Sequence, residues 1–264
     1  MLTSTKNPRI ILIRKLQMNG RLRKKECLFV VEGVRLLEEA LFAGWKPETL
    51  IYTEDLNKRG MDVIQAYSSQ GVEAIPVASH VMKAASDTQS PQGILALFPI
   101  PDISIPNRLE FALILDGLRD PGNMGTIFRS SLAAGVDTIL LPPGTVDPYS
   151  PKVVRAAMGA HFRLPFLRLS WDEIIQLVIS KNLSTYLADS SKGQIYDCIE
   201  YKMPLVFIIG GEVSGAGSKA LALSPKRVNI PMCNSVESLN AATATAILVF
   251  EVSRQKRSKL DITT

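Results

Sequence analysis

Three short stretches carry residue types and spacings capable of chemistry. The first is LVFIIGGEVSGAG, Leu205–Gly217, an apolar run that opens into a glycine-rich loop. Such loops hold phosphates when backbone N–H groups converge and a lysine stands close by. Neither phosphate spacing is present. Gly210, Gly211, Gly215 and Gly217 do not give G-x-G-x-x-G, and the P-loop pattern begun at Gly210 runs through Gly215 into Ala216–Gly217 with no lysine. Glu212 also places a negative charge where N–H groups should donate to an anion. What survives is a loop whose glycines let backbone approach a flat, polar ligand without phosphates. The second stretch, DPGNMGTIFRSS, puts Pro121–Gly122 in a turn and Asn123 at a helix start, where its side chain can cap. Met124, Ile127, Phe128 and Leu132 make the buried stripe and leave Arg129 on its flank. In the third, NIPMCNSVESLNAATATAILVFE, Pro231 turns the chain off a strand and Ser235 can cap a final helix running from about Val236 to Arg257. Ser238 and Asn240 then fall in its first turn, where orphan N–H groups and polar side chains can face a ligand. The small residues Ala241–Ala246 require close packing of that helix.

These stretches need a scaffold, and the rest of the chain reads as one. Before residue 98, apolar strands (CLFVVEG, TLIYT, VEAIPVA, GILALF) alternate with helices such as VRLLEEALFAG and MDVIQAYSSQ, which predicts a layered α/β unit. PIPDISIPNR carries three prolines and little periodicity. It predicts a linker over 99–108 between a domain at 1–98 and another at 109–264. In the second domain the strands FALILDGL, DTILLPP, RLPFLRL, STYLAD and RVNIPM are short and continuously apolar, as in a parallel sheet covered on both faces.

Composition narrows the function classes. Hydrophobic residues at 46% and charged residues at 21% give an ordinary globular balance. Arg21, Arg23, Lys24 and Lys25 belong to a basic N-terminal cluster of the kind a phosphate backbone attracts, in a chain of net charge +5. Cys27, Cys198 and Cys233 are too few and too scattered for a disulfide scaffold, and they argue for a reducing, cytoplasmic setting. Around His80 and His161 no zinc-ligand spacing exists, so no metal is expected. No apolar run of about 18 residues occurs, so no membrane association is expected.

The three stretches, in this order, resemble the SpoU (TrmH) family of RNA ribose 2′-O-methyltransferases. Asn123, Gly125 and Arg129 are similar to its first motif, Gly210–Gly211–Glu212 with Gly215 to its second, and Ile230–Pro231–Met232 with Ser238–Leu239–Asn240 to its third. The N-terminal unit, through VEGVRLLEEAL and SPQGILALF, resembles the small substrate-binding domain of members that act on ribosomal RNA. The resemblance implies a parallel-sheet SPOUT-type α/β domain with a C-terminal trefoil knot, a homodimer, and S-adenosylmethionine as cofactor. That cofactor would be held by Gly210, Gly211, Ile230, Met232 and Leu239. The catalytic set would be Asn123, Arg129, Glu212, Ser238 and Asn240, with Arg129 as the proposed base. A guanidinium holds its proton to a pKa above about 12, so we expect Arg129 to anchor the target phosphate and polarise the hydroxyl. Glu212 would hold Arg129 or a ligand hydroxyl. RNA contacts are expected at Arg21, Arg23, Lys24, Lys25, Lys152 and Arg155, with ribosomal favoured over transfer RNA. Two departures stand out: Ala157 replaces a frequent serine before Met158–Gly159–Ala160, and Ala241–Ala242 follow Asn240 in place of valine–serine. The competing readings are a non-catalytic RNA-binding assembly protein of the same fold, a nucleotide-dependent oxidoreductase and a small-molecule methyltransferase.

Overall fold

The structure is a computed structural model that describes all residues except Val213, Ser214, Ser235, Val236 and 262–264. The chain divides into two compact units, Met1–Asp102 with Asp147–Arg163, and Ile103–Val146 with Leu164–Thr264.

In the first unit, Asn7 caps helix α1 (Pro8–Met18), its Oδ1 accepting the Arg9 N–H, and Pro8 occupies the first turn. Then follow α2 (Gly20–Glu26), β1 (Leu28–Glu32), α3 (Val34–Phe42), β2 (Thr49–Tyr52), α4 (Lys58–Ser69), β3 (Glu73–Pro76), α5 (Ser79–Ala85) and β4 (Ile94–Pro99). The strands make one sheet ordered β1-β4-β2-β3, with β4 antiparallel to both neighbours and β2 parallel to β3. Strand alternation sends Leu28, Val30, Leu95 and Leu97 to one face, which Ile10, Ile13 and Leu16 of α1 and Val81 and Met82 of α5 cover.

Phe29 and Phe98, one position along, serve the other face. There the Tyr149 ring packs tilted against Phe29 at 4.8 Å and the Phe162 ring against Phe98 at 5.7 Å, while the Trp45 indole N–H donates to the Phe162 carbonyl at 3.0 Å. A single cut at 99–108 would leave segment 147–163 with the second domain. Its rings lie instead on the first unit's sheet, where they join Trp45 and Tyr67 around Phe29 and Phe98. In the same segment His161 is buried and donates from Nε2 to the Pro148 carbonyl at 2.6 Å; burial pushes its pKa down to about 4.

The second unit holds β5 (Phe111–Asp116), α6 (Pro121–Ala134) and β6 (Thr138–Leu141). After the first unit's α7 (Pro151–Ala157) it resumes with β7 (Phe166–Arg168), α8 (Trp171–Ser180), β8 (Ser184–Ala188), β9 (Gln194–Ile195), β10 (Leu205–Gly210), α9 (Ser218–Leu223), β11 (Arg227–Asn229) and α10 (Ala241–Asp261). Its sheet runs β7-β6-β5-β10-β8-β11-β9 and every pairing is parallel, as the continuous apolar strands predict. Val206 and Ile208 of β10 pack with Ala112 and Ile114 of β5 beneath Ile174, Leu177 and Val178 of α8.

Two helix starts differ from the sequence reading. Helix α6 begins at Pro121 because Asp120 is the cap, its Oδ1 accepting the Asn123 N–H at 2.7 Å; the Asn123 side chain is therefore free for another partner. Helix α10 begins at Ala241, because Asn240 Oδ1 accepts the N–H groups of Ala242 and Thr243 at 2.9 and 3.3 Å. Ser238 thus precedes the helix; Ser235 and Val236 lie outside the described residues. Ala242, Thr245, Leu248, Val249 and Val252 form the buried stripe of α10, which packs on α6. Among the described residues no helix is long and apolar enough to cross a membrane.

Candidate active site

Strands β5 and β10 lie side by side and end level, with Gly210 in register with Asp116. The loops that leave them therefore start together, at the carboxyl edge of the sheet where α/β folds place ligands. The loop after β10 closes on itself: Gly211 and Gly215 exchange backbone hydrogen bonds of 3.1 and 3.0 Å. A Cβ on Gly210 would stand 2.5 Å from the Ala216 nitrogen, and one on Gly211 would stand 2.5 Å from the Gly117 carbonyl oxygen. Both glycines are thus required by the chain's own backbone, whereas the sequence reading gave them to a ligand's approach. The Gly217 N–H donates to Asp116 Oδ2 at 2.7 Å and ties the far end of the loop to β5.

Across this loop runs a polar relay joining all three stretches. Asn240 Nδ2 donates to Asn123 Oδ1 at 2.8 Å, and Asn123 Nδ2 donates to Glu212 Oε1 at 2.8 Å. Neither amide can be reversed. Asn240 must present its oxygen to the two N–H groups of α10, and Asn123 must present its NH₂ to a carboxylate. Burial pushes the Glu212 carboxyl up, but the Asn123 amide and backbone N–H groups, including those of Arg119 and Asp120, outweigh it and hold the group below its ordinary pKa. Arg129 takes no part: it is exposed and its side chain makes no hydrogen bond or ion pair among the described residues. Of the two partners expected for Glu212, Arg129 or a ligand hydroxyl, Arg129 makes no contact with it, and Glu212 Oε1 accepts from Asn123 instead.

Behind the relay opens a cavity of about 570 Å³. Gly210, Gly211, Ile230, Met232 and Leu239, the five residues expected to hold a cofactor, all line it together with Glu212, Ser238 and Asn240, while Asn123 and Arg129 do not. Sequence reasoning missed the wall formed by Leu187–Ser190 and Arg227. Asp189 organises this wall. Its Oδ1 accepts the Ser191 and Lys192 N–H groups and the Ser191 hydroxyl, and its Oδ2 accepts from Arg227 at 2.6 Å. Burial raises its pKa, yet these donors bring it down to about 2. The signal was available: Asp189 follows β8, the strand beside β10, at the carboxyl edge where ligands gather.

Residues 110–250 match the SpoU rRNA Methylase family, and residues 7–96 match the MRM3-like substrate binding domain. The chain belongs to the SpoU rRNA methylase family. It is 35% identical to "rRNA methyltransferase 3A, mitochondrial" of Danio rerio over 88% of its own length and spans 65% of that protein. With the 23S rRNA (guanosine(2553)-2′-O)-methyltransferase RlmP of Bacillus subtilis it shares 29% identity, covering 94% of this chain and 97% of the relative. The crystal structure of an AdoMet-bound rRNA methyltransferase from Sinorhizobium meliloti superposes with a TM-score of 0.86 at 30% identity, covering 96% of this chain and 97% of that one.

The basic residues expected to meet RNA in this SpoU chain divide in two. Arg21, Lys24, Lys25 and Lys152 are exposed. Arg23 is not: at 5% exposure its guanidinium donates to Asp147 and to the carbonyls of Leu16 and Gln17. A cation so enclosed is committed to partners within the first unit, where removing one of them would leave a buried charge uncompensated, and it is withdrawn from any phosphate backbone. Arg155, half-buried, pairs with Asp87 at 3.0 Å.

Proposed function

We propose that this chain is an S-adenosylmethionine-dependent RNA methyltransferase that modifies a ribose 2′-hydroxyl, in ribosomal rather than transfer RNA. The observation that carries the reading is the relay Asn240–Asn123–Glu212 at the mouth of a cavity unsuited to phosphates. Its charged lining residues are Asp189, Glu212 and Arg227, and the arginine is committed to Asp189. Such a lining repels an anion and suits a nucleoside bearing a cationic sulfonium. Gly210, Gly211 and Leu239 would hold that nucleoside through backbone groups, with Leu187, Ile209, Ile230 and Met232 as apolar walls. When bound, S-adenosylmethionine supplies an electrophilic methyl group.

The chain's own residues then have separable tasks. Arg129, exposed and unpaired among the described residues, anchors the phosphate beside the target ribose and polarises the 2′-hydroxyl. Its guanidinium keeps its proton, so proton loss from the hydroxyl falls late or to a neighbour. Asn123 and Asn240 hold the mouth of the cavity in one geometry, Glu212 orients the Asn123 amide, the first turn of α10 orients that of Asn240, and Ser238 hydrogen-bonds on the rim. Residues 1–98 bind RNA through Arg21, Lys24, Lys25 and their neighbours, residues 99–108 connect, and 109–264 carry the reaction and end in a trefoil knot. The protein works in the cytoplasm as a homodimer. Titration calorimetry with S-adenosylmethionine tests the core of this reading. Binding that ATP does not compete away is expected, and no binding would return the chain to a non-catalytic RNA-binding role.

A further inference from the structure

A second cavity, of about 640 Å³, lies wholly within the first unit, and its electrostatics are the reverse of those just described. The bases lining it are Arg35, Arg59 and Lys83, against one acid, Asp55. Arg59 is already engaged, because both of its hydrogen bonds go to the two carboxylate oxygens of Glu38. That pairing also occupies the acid nearest to Arg35 along its helix. Arg35 and Lys83 are exposed and make no ion pair among the described residues.

The floor and rim are built rather than incidental. Val34 and Arg35, the first turn of the nine-residue helix α3, border the cavity, and no side chain caps that turn. Its N–H groups are thus available to an acceptor. The rim is the loop between α5 and β4. Glu32, 6% exposed, fixes its start with both carboxylate oxygens, one accepting the Ser86 hydroxyl at 2.6 Å and the other the Thr88 hydroxyl at 2.7 Å. Its end is fixed by Gly93, whose positive φ of 74° and lack of a Cβ let it lie against Thr53; a Cβ would stand 2.6 Å from Thr53 Oγ1.

We propose that this cavity is an RNA-binding site that takes a backbone phosphodiester of the substrate. Arg35 and Lys83 supply the charge and the first turn of α3 the N–H donors. The proposal rests on the reading of the chain as an RNA methyltransferase, and it adds a site separate from the basic surface of α1 and α2. An RNA phosphodiester is favoured over a free nucleotide because the cavity is open and its unit also presents Arg21, Lys24 and Lys25 to solvent.

The test compares the wild-type chain with the double variant Arg35→Ala, Lys83→Ala by binding of total ribosomal RNA across a salt series. The variant is expected to bind about tenfold more weakly, with the slope of log affinity against log salt reduced by roughly 1 per lost contact. Its melting temperature and its affinity for S-adenosylmethionine should be unchanged. Wild-type RNA affinity and slope in the variant, with cofactor binding intact, would overturn this site alone. Binding of AMP to the cavity with no effect of the variant on RNA would make it a mononucleotide site and overturn the assignment too. A wild-type chain that binds no RNA would overturn both this site and the function on which it rests.

Discussion

Among single side chains, the site turns on which way two amides point. Asn240 is oriented by the helix it caps and Asn123 by the Glu212 carboxylate, so each donates along the same direction. Replacing Asn123 by Asp would set two carboxylates against each other. Because Glu212 is held below its ordinary pKa, its charge-dependent contribution is present above the ordinary carboxylate range and lost as pH falls below it. N123D should therefore melt below N123A at pH 7, and the gap should close as pH drops below about 4. Equal melting of N123D and the wild type at pH 7 would contradict the relay. Arg129 makes the opposite case, since it holds nothing else in place. Arg129→Ala should lower methyl transfer at saturating RNA by about 10²-fold or more while leaving cofactor affinity intact. Arg129→Lys should restore little, because a lysine lacks the planar fork. The sequence marks Asn123, Glu212 and Asn240 as polar on a loop or helix start. Their bonds to one another span 89 and 117 residues, and no local pattern reports contacts of that range.

At the level of elements, β5, β10, α6 and α8 are legible because continuous apolar runs or a capped amphipathic stripe announce them. The short α9 and the exposed, two-residue β9 carry too few periods to be read. The starts of α6 and α10 were misplaced because several capping residues compete within a few positions, and only the backbone decides among them. The Gly210 loop shows what an element adds to a residue. A Gly210→Ala change drives a methyl into the Gly215–Ala216 backbone, which has no side chain that could yield. It should weaken cofactor binding measured by calorimetry more than it lowers the melting temperature. Leu248, fully buried on α10 and lining the cavity, sets a second test. Leu248→Ala should cost about 2–5 kcal/mol in denaturant unfolding.

For the molecule as a whole, the α/β class and the parallel sheet follow from strand composition, but the path of the chain between its units does not. Nothing in SPKVVRAAMGAHF tells which sheet its aromatic neighbours will cover. A fragment of residues 103–264 would carry Tyr149 and Phe162 without Phe29, Trp45 and Phe98 to meet them. That fragment should bind a hydrophobic dye that the full chain does not, and dye binding restored to the full-chain level by polar replacements at both positions would confirm the cause. The two cavities differ in charge, one poor in free cations and one lined by Arg35 and Lys83. Their chemistry meets in a single measurement: transfer of labelled methyl from S-adenosylmethionine to separated ribosomal and transfer RNA, followed by mapping of the modified nucleotide. A ribose 2′-O-methyl mark in ribosomal RNA that disappears with Arg129→Ala is the predicted result; label on a base, on transfer RNA alone, or on no RNA at all would contradict it.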